Sequence, residues 1–250
     1  MNATTESRFL IGVHEVHVWH AELANSEDAK DLEPLLSPDE NARAERFRFP
    51  EHRRRFVIAR GCLRQLLGAY LGIAPKEVVF IYSEAAKPAL ALEHQSRLHF
   101  NVSHSGDIAA FAFTTARDIG IDVELIRRDV DVEQIPQRFF SSHEQESLSR
   151  LQGEEKLRGF FNCWTRKEAY VKAFGSGLSL PLRDFDVSLL PGEPAKLRAT
   201  RPDAALAARW SMASLDFGES CAAAVVVEGP IHELLIRNFA PSNMNSQVSK

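Results

Sequence analysis

Acidic and apolar residues alternate along residues 120–125, which read Gly-Ile-Asp-Val-Glu-Leu. On a strand, Asp122 and Glu124 would project from one face while Ile121 and Val123 enter the core. Two such carboxylates repel each other unless water or a cation lies between them. Oxygen ligands with no neighbouring His or Cys suit a hard ion such as Mg²⁺ or Mn²⁺. A wet acidic face on an edge strand is the alternative interpretation.

A second set of polar residues recurs at helical spacing within residues 160–172. Trp164, Glu168 and Lys172 follow one another at intervals of four, which places an aromatic, a carboxylate and an ammonium on one stripe. An ordinary amphipathic helix with a Glu–Lys pair is the alternative. It leaves unexplained why the pair shares the stripe of a large aromatic that should face inward. A third carboxylate reaching Asp122 and Glu124 would complete a Mg²⁺ site with room for substrate oxygens.

Residues 100–106 form a strand-like run that ends in a polar turn containing Ser103, His104 and Gly106. Hydroxyl, imidazole and backbone N–H groups at such a turn can bind phosphate oxygens. A nucleophilic Ser–His pair is the alternative, but adjacent residues on an extended strand point to opposite faces. His104 could therefore not readily activate Ser103, and the turn indicates phosphate binding more than nucleophilic catalysis.

The positive charge of the chain is concentrated in one segment. Residues 43–64 contain eight arginines and two glutamates, although the whole chain carries a net charge of −4. A basic segment on an acidic chain indicates a local anionic ligand, with a solvated helix face as the alternative. The net charge and the lack of an RNA-binding aromatic motif argue against nucleic acid as the partner.

The composition excludes several classes of protein. With 250 residues, 44% of them hydrophobic and 26% charged, the chain is long enough for one large domain or two small ones with a sizeable core. We expect a cytoplasmic protein with no membrane contact, because no apolar run could span a bilayer and the first residues lack the regions of a signal peptide. Three cysteines without CxxC spacing suggest neither a disulfide framework nor a zinc site.

The elements that position these residues repeat along the chain. Each half reads as a strand, a long helix closed by glycine, and three further strands, with two short helices added in the second half. This order predicts an α+β fold, a pseudodimer of two similar α+β halves at residues 1–116 and 117–237, with a ligand site between them and a polar, disordered tail at residues 238–250. Such an internal duplication favours a monomer. The predicted strands are 14–23, 77–82, 97–103, 108–114, 117–125, 183–190, 206–215 and 220–227, and the helices are 53–71, 132–140, 143–151 and 154–174, the last closed by Gly175 and Gly177.

Three of these motifs, in this order and spacing, resemble the Sfp-type 4′-phosphopantetheinyl transferases. They are the turn at residues 101–106, the acidic strand at 120–124 and the helix at 160–178 with its following glycines. The similarity runs from about residue 37 to residue 190, with lesser matches at 59–64 and 87–88. Glu40 departs from the pattern, because some relatives carry a basic residue there. The family's fold is a pseudodimer with the active site between its halves, which agrees with the repeat described above.

The resemblance implies transfer of the 4′-phosphopantetheine moiety of coenzyme A to a serine of an apo acyl or peptidyl carrier protein, with release of 3′,5′-ADP. A non-catalytic coenzyme A or carrier-protein binding module on the same scaffold is the alternative. Glu168, or a metal-bound water, would accept the serine proton. By matching position, the ligands of Mg²⁺ (or Mn²⁺) would be Asp122, Glu124 and Glu168. The catalytic residues would be Glu168, Lys172 and His104. Coenzyme A would be bound by Arg53, Arg60, Lys87, Ser103, His104 and Lys172.

Overall fold

The computed structural model describes residues 7–83, 87–175 and 180–241. Its first half begins with strand β1 (Glu15–Glu22), followed by helices α1 (Ser26–Leu32), α2 (Pro38–Ala44) and α3 (Pro50–Leu71). A short hairpin, β2 (Phe80–Tyr82) and β3 (Pro88–Leu90), precedes a long one, β4 (Leu98–Ser105) and β5 (Ile108–Thr115).

The second half contains the same series of elements. It begins with strand β6 (Ile119–Leu125) and continues with helices α4 (Gln134–Phe139), α5 (Ser142–Ser149) and α6 (Gly153–Phe174). Strands β7 (Phe185–Val187) and β8 (Leu197–Thr200) form its short hairpin, and β9 (Trp210–Ser214) and β10 (Cys221–Glu228) its long one. Strand β11 (Glu233–Asn238) ends the series.

The sheet orders show that the halves are duplicates. β1 pairs with β5 and β5 with β4 in the first half, while β6 pairs with β10 and β10 with β9 in the second. The long helices α3 and α6 each have 22 residues and end at a left-handed glycine, Gly72 at φ 69° and Gly175 at φ 75°. Glycine adopts this conformation without the steric cost of a Cβ. The predicted α+β pseudodimer is confirmed.

Several element boundaries differ from those predicted. Helix α3 begins three residues before the predicted position 53, because Phe49 is the N-cap and Pro50 occupies the first helical position, where its missing N–H costs nothing. The strand predicted at 206–215 begins only at Trp210, since residues 204–209 form a 3₁₀ turn. The strand predicted at 183–190 is reduced to β7. Strands β3, β8 and β11 were not predicted, and Gly177 lies outside the described residues.

Three apolar clusters hold the layers together. One lies between α3 and the first sheet and a second between α6 and the second sheet. The third joins the two sheets, because β1 and β5 contribute one side of it and β6 and β10 the other. Fully buried members of this third cluster are Val16, Val18, Ala110, Ala112, Ile121, Val123, Val225 and Val227.

Strand β11 crosses from the second half to the first. It pairs in parallel with β1, and the N–H of Phe239 donates to the carbonyl of His20 at 2.8 Å. Phe239 is buried and packs edge-on against Trp19. The expectation that the disordered tail begins at 238 is therefore wrong for Asn238, which ends β11, and for Phe239, which is buried against the first half. Residues 242–250 lie outside the described residues.

Within the described part of the chain, no helix is long and apolar enough to cross a membrane.

Candidate active site

Strands β4 and β6 meet at the junction of the halves, and side chains rather than a backbone ladder join them. Asn101, Ser103 and Ser105 are alternate residues of β4, so all three face β6. Each accepts a hydrogen bond, through Oδ1 of the asparagine and Oγ of the serines. The donors are, in that order, the backbone N–H groups of Ile121, Val123 and Leu125, at 2.9, 3.3 and 3.1 Å. We call this arrangement the β4–β6 seam.

The middle of the seam holds a cluster of buried Ser103 and Asp122 with half-buried Lys172. The Ser103 hydroxyl donates to Asp122 Oδ1 at 2.8 Å, and Lys172 Nζ donates to the same oxygen at 2.7 Å and to Ser103 Oγ at 3.0 Å. Asp122 is 4% exposed, and its second oxygen, Oδ2, is buried without a hydrogen-bond partner in the described residues. A buried acceptor of this kind is costly unless a ligand satisfies it.

Two further carboxylates flank this cluster. Glu124 Oε2 accepts a hydrogen bond from Ser105 Oγ at 2.7 Å, and Glu168 is half-buried on α6. Burial, and then the negative charge of Asp122, raises the pKa of Glu168. Burial likewise raises the pKa of Asp122, against the opposing effect of Lys172, and that of Glu124, against the opposing effect of its Ser105 hydrogen bond. The site concentrates negative charge in a poorly solvated place.

Close packing of α6 on β6 brings Glu168 and Lys172 to this strand. A Cβ built on Gly120 would lie 2.1 Å from the carbonyl oxygen of Ala169 and 2.3 Å from the backbone nitrogen of Ala173. Only glycine permits this approach of strand to helix.

The predicted metal ligands are neighbours, but they do not form a ready-made site. Asp122 and Glu124 share one face of β6, as predicted. Glu168 is close enough that the charges of both raise its pKa. However, the Lys172 ammonium lies against Asp122, and no three His, Cys, Asp or Glu side chains of residues 7–83, 87–175 and 180–241 are arranged to hold a metal ion. The metal assignment stays a prediction.

His104 lies on the opposite face of β4 from Ser103, as strand geometry predicts, and its ring reaches solvent. Partial desolvation, followed by the positive charges of Lys172, Arg55 and Arg43, lowers its pKa. Arg55 is fixed by two hydrogen bonds to Asp107 in the turn after β4, at 2.8 and 3.2 Å.

The sequence did not single out Arg55 or Arg43 for this site. The run of polar residues at 101, 103 and 105 was the signal that could have revealed the seam.

The other residues predicted to bind coenzyme A, which are Arg53, Arg60 and Lys87, each lie close to groups of the protein itself. Arg53 pairs with Glu33 rather than with any group of the cluster described above. Arg60 lines a pocket of about 710 Å³ with Arg43, and its Nε lies 3.5 Å from Glu40. Lys87 donates to two backbone carbonyls of the second half. The binding roles of these residues stay predictions.

Glu40, the departure from the family pattern, has a structural explanation. Its side chain is 2% exposed, accepts a hydrogen bond from Arg64 Nε at 2.6 Å and caps the backbone N–H of Ser37 at 2.9 Å. Glu40 therefore anchors α2 on α3. It does not supply the positive charge that a basic residue at this position would offer a ligand.

The acid–lysine cluster of Ser103, Asp122 and Lys172 lies between the two duplicated halves. Two family models match the chain: residues 19–116 match the N-terminal model of 4′-phosphopantetheinyl transferases, and residues 118–226 match the 4′-phosphopantetheinyl transferase superfamily. The 4′-phosphopantetheinyl transferase HetI of Nostoc sp. (strain PCC 7120) is 45% identical over 217 residues, which are 86% of this chain and 88% of that protein. The chain belongs to the 4′-phosphopantetheinyl transferase superfamily, which confirms the resemblance inferred from its motifs.

A second relative agrees with this membership. The 4′-phosphopantetheinyl transferase Sfp of Bacillus subtilis (strain 168) is 30% identical over 165 residues, covering 66% of this chain and 71% of that protein. Among solved structures, a holo-(acyl-carrier-protein) synthase from Bacillus anthracis str. Ames in complex with CoA (3′,5′-ADP) aligns with 45% of this chain and 96% of its own, at 21% identity and a TM-score of 0.38. The chain is thus a phosphopantetheinyl transferase and not a non-catalytic binding module.

Proposed function

We propose that this enzyme transfers the 4′-phosphopantetheine moiety of coenzyme A to a serine hydroxyl of an apo acyl or peptidyl carrier protein. The serine oxygen forms a bond to the β-phosphorus of the coenzyme A pyrophosphate, the bond from that phosphorus to the bridging oxygen breaks, and 3′,5′-ADP departs. The observation that carries the proposal is the Ser103–Asp122–Lys172 cluster, with its unpartnered Asp122 oxygen, beside Glu168 at the junction of the halves.

Positive charge within the cluster and near His104 supports binding of coenzyme A. Lys172 places an ammonium where a pyrophosphate would meet β6, and it stabilises the negative charge that grows on the departing bisphosphate. The positive charges of Arg55 and Arg43 both act on His104 at the outer end of β4. Arginine binds phosphate oxygens in bidentate fashion, so we assign Arg55 and Arg43 to the nucleotide phosphates together with the predicted His104 and Arg60.

The donor set fits a hard divalent cation. Asp122, Glu124 and Glu168 offer only oxygen ligands, and Asp122 Oδ2 has no other partner among the described residues. These three residues would hold Mg²⁺, or Mn²⁺, which when bound neutralises charge on the pyrophosphate. Burial is the largest cause of the raised pKa of each of these carboxyls, and a bound cation would favour their charged forms.

Glu168 is our candidate for accepting the serine proton. A general base works best when its pKa lies near the working pH, and burial together with the charge of Asp122 moves the pKa of Glu168 upward from the ordinary carboxyl value. Its half-buried position on α6 leaves it reachable by a substrate hydroxyl.

Intact-mass measurement tests the proposal directly. The enzyme is incubated with coenzyme A, Mg²⁺ and several purified apo carrier proteins from fatty-acid, polyketide and nonribosomal-peptide synthesis. We expect at least one carrier to gain a phosphopantetheine, Asp122→Ala to abolish the gain, and Asp31→Ala, an exposed aspartate on α1, to leave it unchanged. Undiminished transfer by a folded Asp122→Ala variant would contradict the role of the cluster.

A further inference from the structure

Lys87 joins the two halves of the chain through its ammonium group. It lies just before β3 in the first half, and its Nζ donates to the carbonyl oxygen of Lys172 at 2.5 Å and to that of Ile119 at 3.3 Å. Lys172 belongs to the last turn of α6 and Ile119 opens β6, so one side chain of the first half binds two elements of the second. The resemblance placed Lys87 on the nucleotide, whereas here its ammonium faces the main chain.

The end of α6 requires such a donor. The last four carbonyls of a helix have no partner within it and carry its negative partial charge. The N–H of Gly175 bonds the carbonyl of Val171 at 3.1 Å, and Lys87 satisfies the next carbonyl, that of Lys172. A cation at a helix C-terminus is favourable both as a donor and through the helix dipole.

As a result, Lys172 is held to β6 both through its side chain and through its backbone carbonyl. Its side chain donates to Asp122 Oδ1 at 2.7 Å and to the carbonyl of Ile121 at 3.2 Å. Its backbone carbonyl is tied through Lys87 to Ile119, two residues earlier on the same strand. Gly120, between these attachment points, packs directly against the backbone of α6.

We propose that Lys87 is a positioning residue for the transfer reaction: it pins the last turn of α6 to β6 and thereby sets the Lys172 ammonium on Asp122. Its contribution falls on the reacting phosphate and not on the binding of the nucleotide. This inference rests on the proposed function for its kinetic part, while the contact itself can be tested in the free enzyme.

Lys87→Met removes the donor at nearly constant length, Lys87→Arg retains a donor, and Lys76→Met removes an exposed lysine of the same half as a matched control. Each full-length variant is assayed with coenzyme A, Mg²⁺ and the carrier protein that the wild type modifies. The dissociation constant for 3′,5′-ADP is measured by calorimetry. Hydrogen exchange of the backbone amides at residues 171–175 is measured without any substrate.

We expect Lys87→Met to lower kcat by roughly 10- to 100-fold, since an error of about 1 Å in placing a reacting group costs this much. Its 3′,5′-ADP affinity should stay within about twofold of the wild type, and exchange at the end of α6 should accelerate. Lys87→Arg should recover most of kcat, and Lys76→Met should match the wild type throughout. If Lys87→Met does not fold, Lys87→Gln replaces it.

Weakened 3′,5′-ADP binding with kcat retained would overturn the inference and assign Lys87 to the nucleotide. Unchanged exchange at residues 171–175 would overturn it equally. A wild type that modifies no carrier would count against the proposed function alone, because the exchange experiment would still report on the Lys87 contact.

Discussion

Replacing Gly120 with alanine adds only a methyl group, but it should push helix α6 away from strand β6. The added Cβ would lie 2.1 Å from the carbonyl oxygen of Ala169, where ordinary contacts are 3.4–4 Å. Because the obstacle is helix backbone, α6 must retreat by roughly 1 Å or more, and it carries Glu168 and Lys172 with it. The 2.7 Å bond from Lys172 to Asp122 would then be stretched or lost.

Two magnitudes follow for Gly120→Ala. Overpacking of this kind costs about 1–3 kcal/mol of unfolding free energy, and misplacement of a catalytic group by about 1 Å costs about 100-fold in rate. We expect kcat for carrier modification to fall by about that factor in protein that remains folded at 25 °C. Urea unfolding followed by circular dichroism gives the stability, and intact-mass time courses give the rate.

Gly159→Ala is the matched control, since it lies on the same helix. Its Cβ would meet Leu151 Cδ1 at 2.7 Å and the ends of two other leucines, which can rotate away. Activity within about twofold of the wild type is expected for this control. If folded Gly120→Ala retained full activity, the close contact between α6 and β6 would not set the geometry of the site.

Three further predictions concern charge. Arg55→Leu should weaken 3′,5′-ADP binding about 10- to 100-fold by calorimetry, as expected for the loss of charge-assisted hydrogen bonds to phosphate, whereas Arg150→Leu, which removes an exposed arginine at the end of α5 that pairs with Glu146, should change it little. Lys167→Met should cost about 3–5 kcal/mol in urea unfolding because it leaves Glu144, 0% exposed and 2.8 Å away, as an unpaired buried charge; removing the charge of Glu144 as well should recover part of the loss. Burial lowers the pKa of His17 from 6.5 to about 4. The unfolded chain therefore binds the proton more readily, and wild-type stability should fall by about 2 kcal/mol between pH 7 and pH 5 relative to His17→Gln, measured by urea unfolding at each pH. Equal slopes for the two proteins would refute this.

The sequence was sufficient for the features that have a strong period or a cap. Alternation along residues 120–125 correctly placed Ile121 and Val123 inside, and Gly72 and Gly175 marked the ends of both long helices. The repeated order of elements was enough to predict the duplication. These signals are local, so they do not depend on knowing which elements meet.

Long-range contacts set the features that the sequence did not reveal. Strand β11 has six residues, of which Leu234 and Leu235 are half-buried and Ile236 is exposed, so its pairing with β1 gives no distinctive pattern. The partner of Arg55 is an aspartate 52 positions away, and the partners of Lys87 lie 32 and 85 positions away. Side-chain identity showed that these groups could bind phosphate, but only the fold shows which of them already bind the protein.

The crossing of β11 makes the two duplicates inseparable as pieces of polypeptide. A fragment that stopped at residue 116 would leave one side of β1 without its six-residue neighbour and Trp19 without Phe239. A fragment that began at residue 117 would carry β11 with no sheet to join. The last strand of the second half thus completes the sheet of the first, so the first half depends on the second for part of its sheet and of its core.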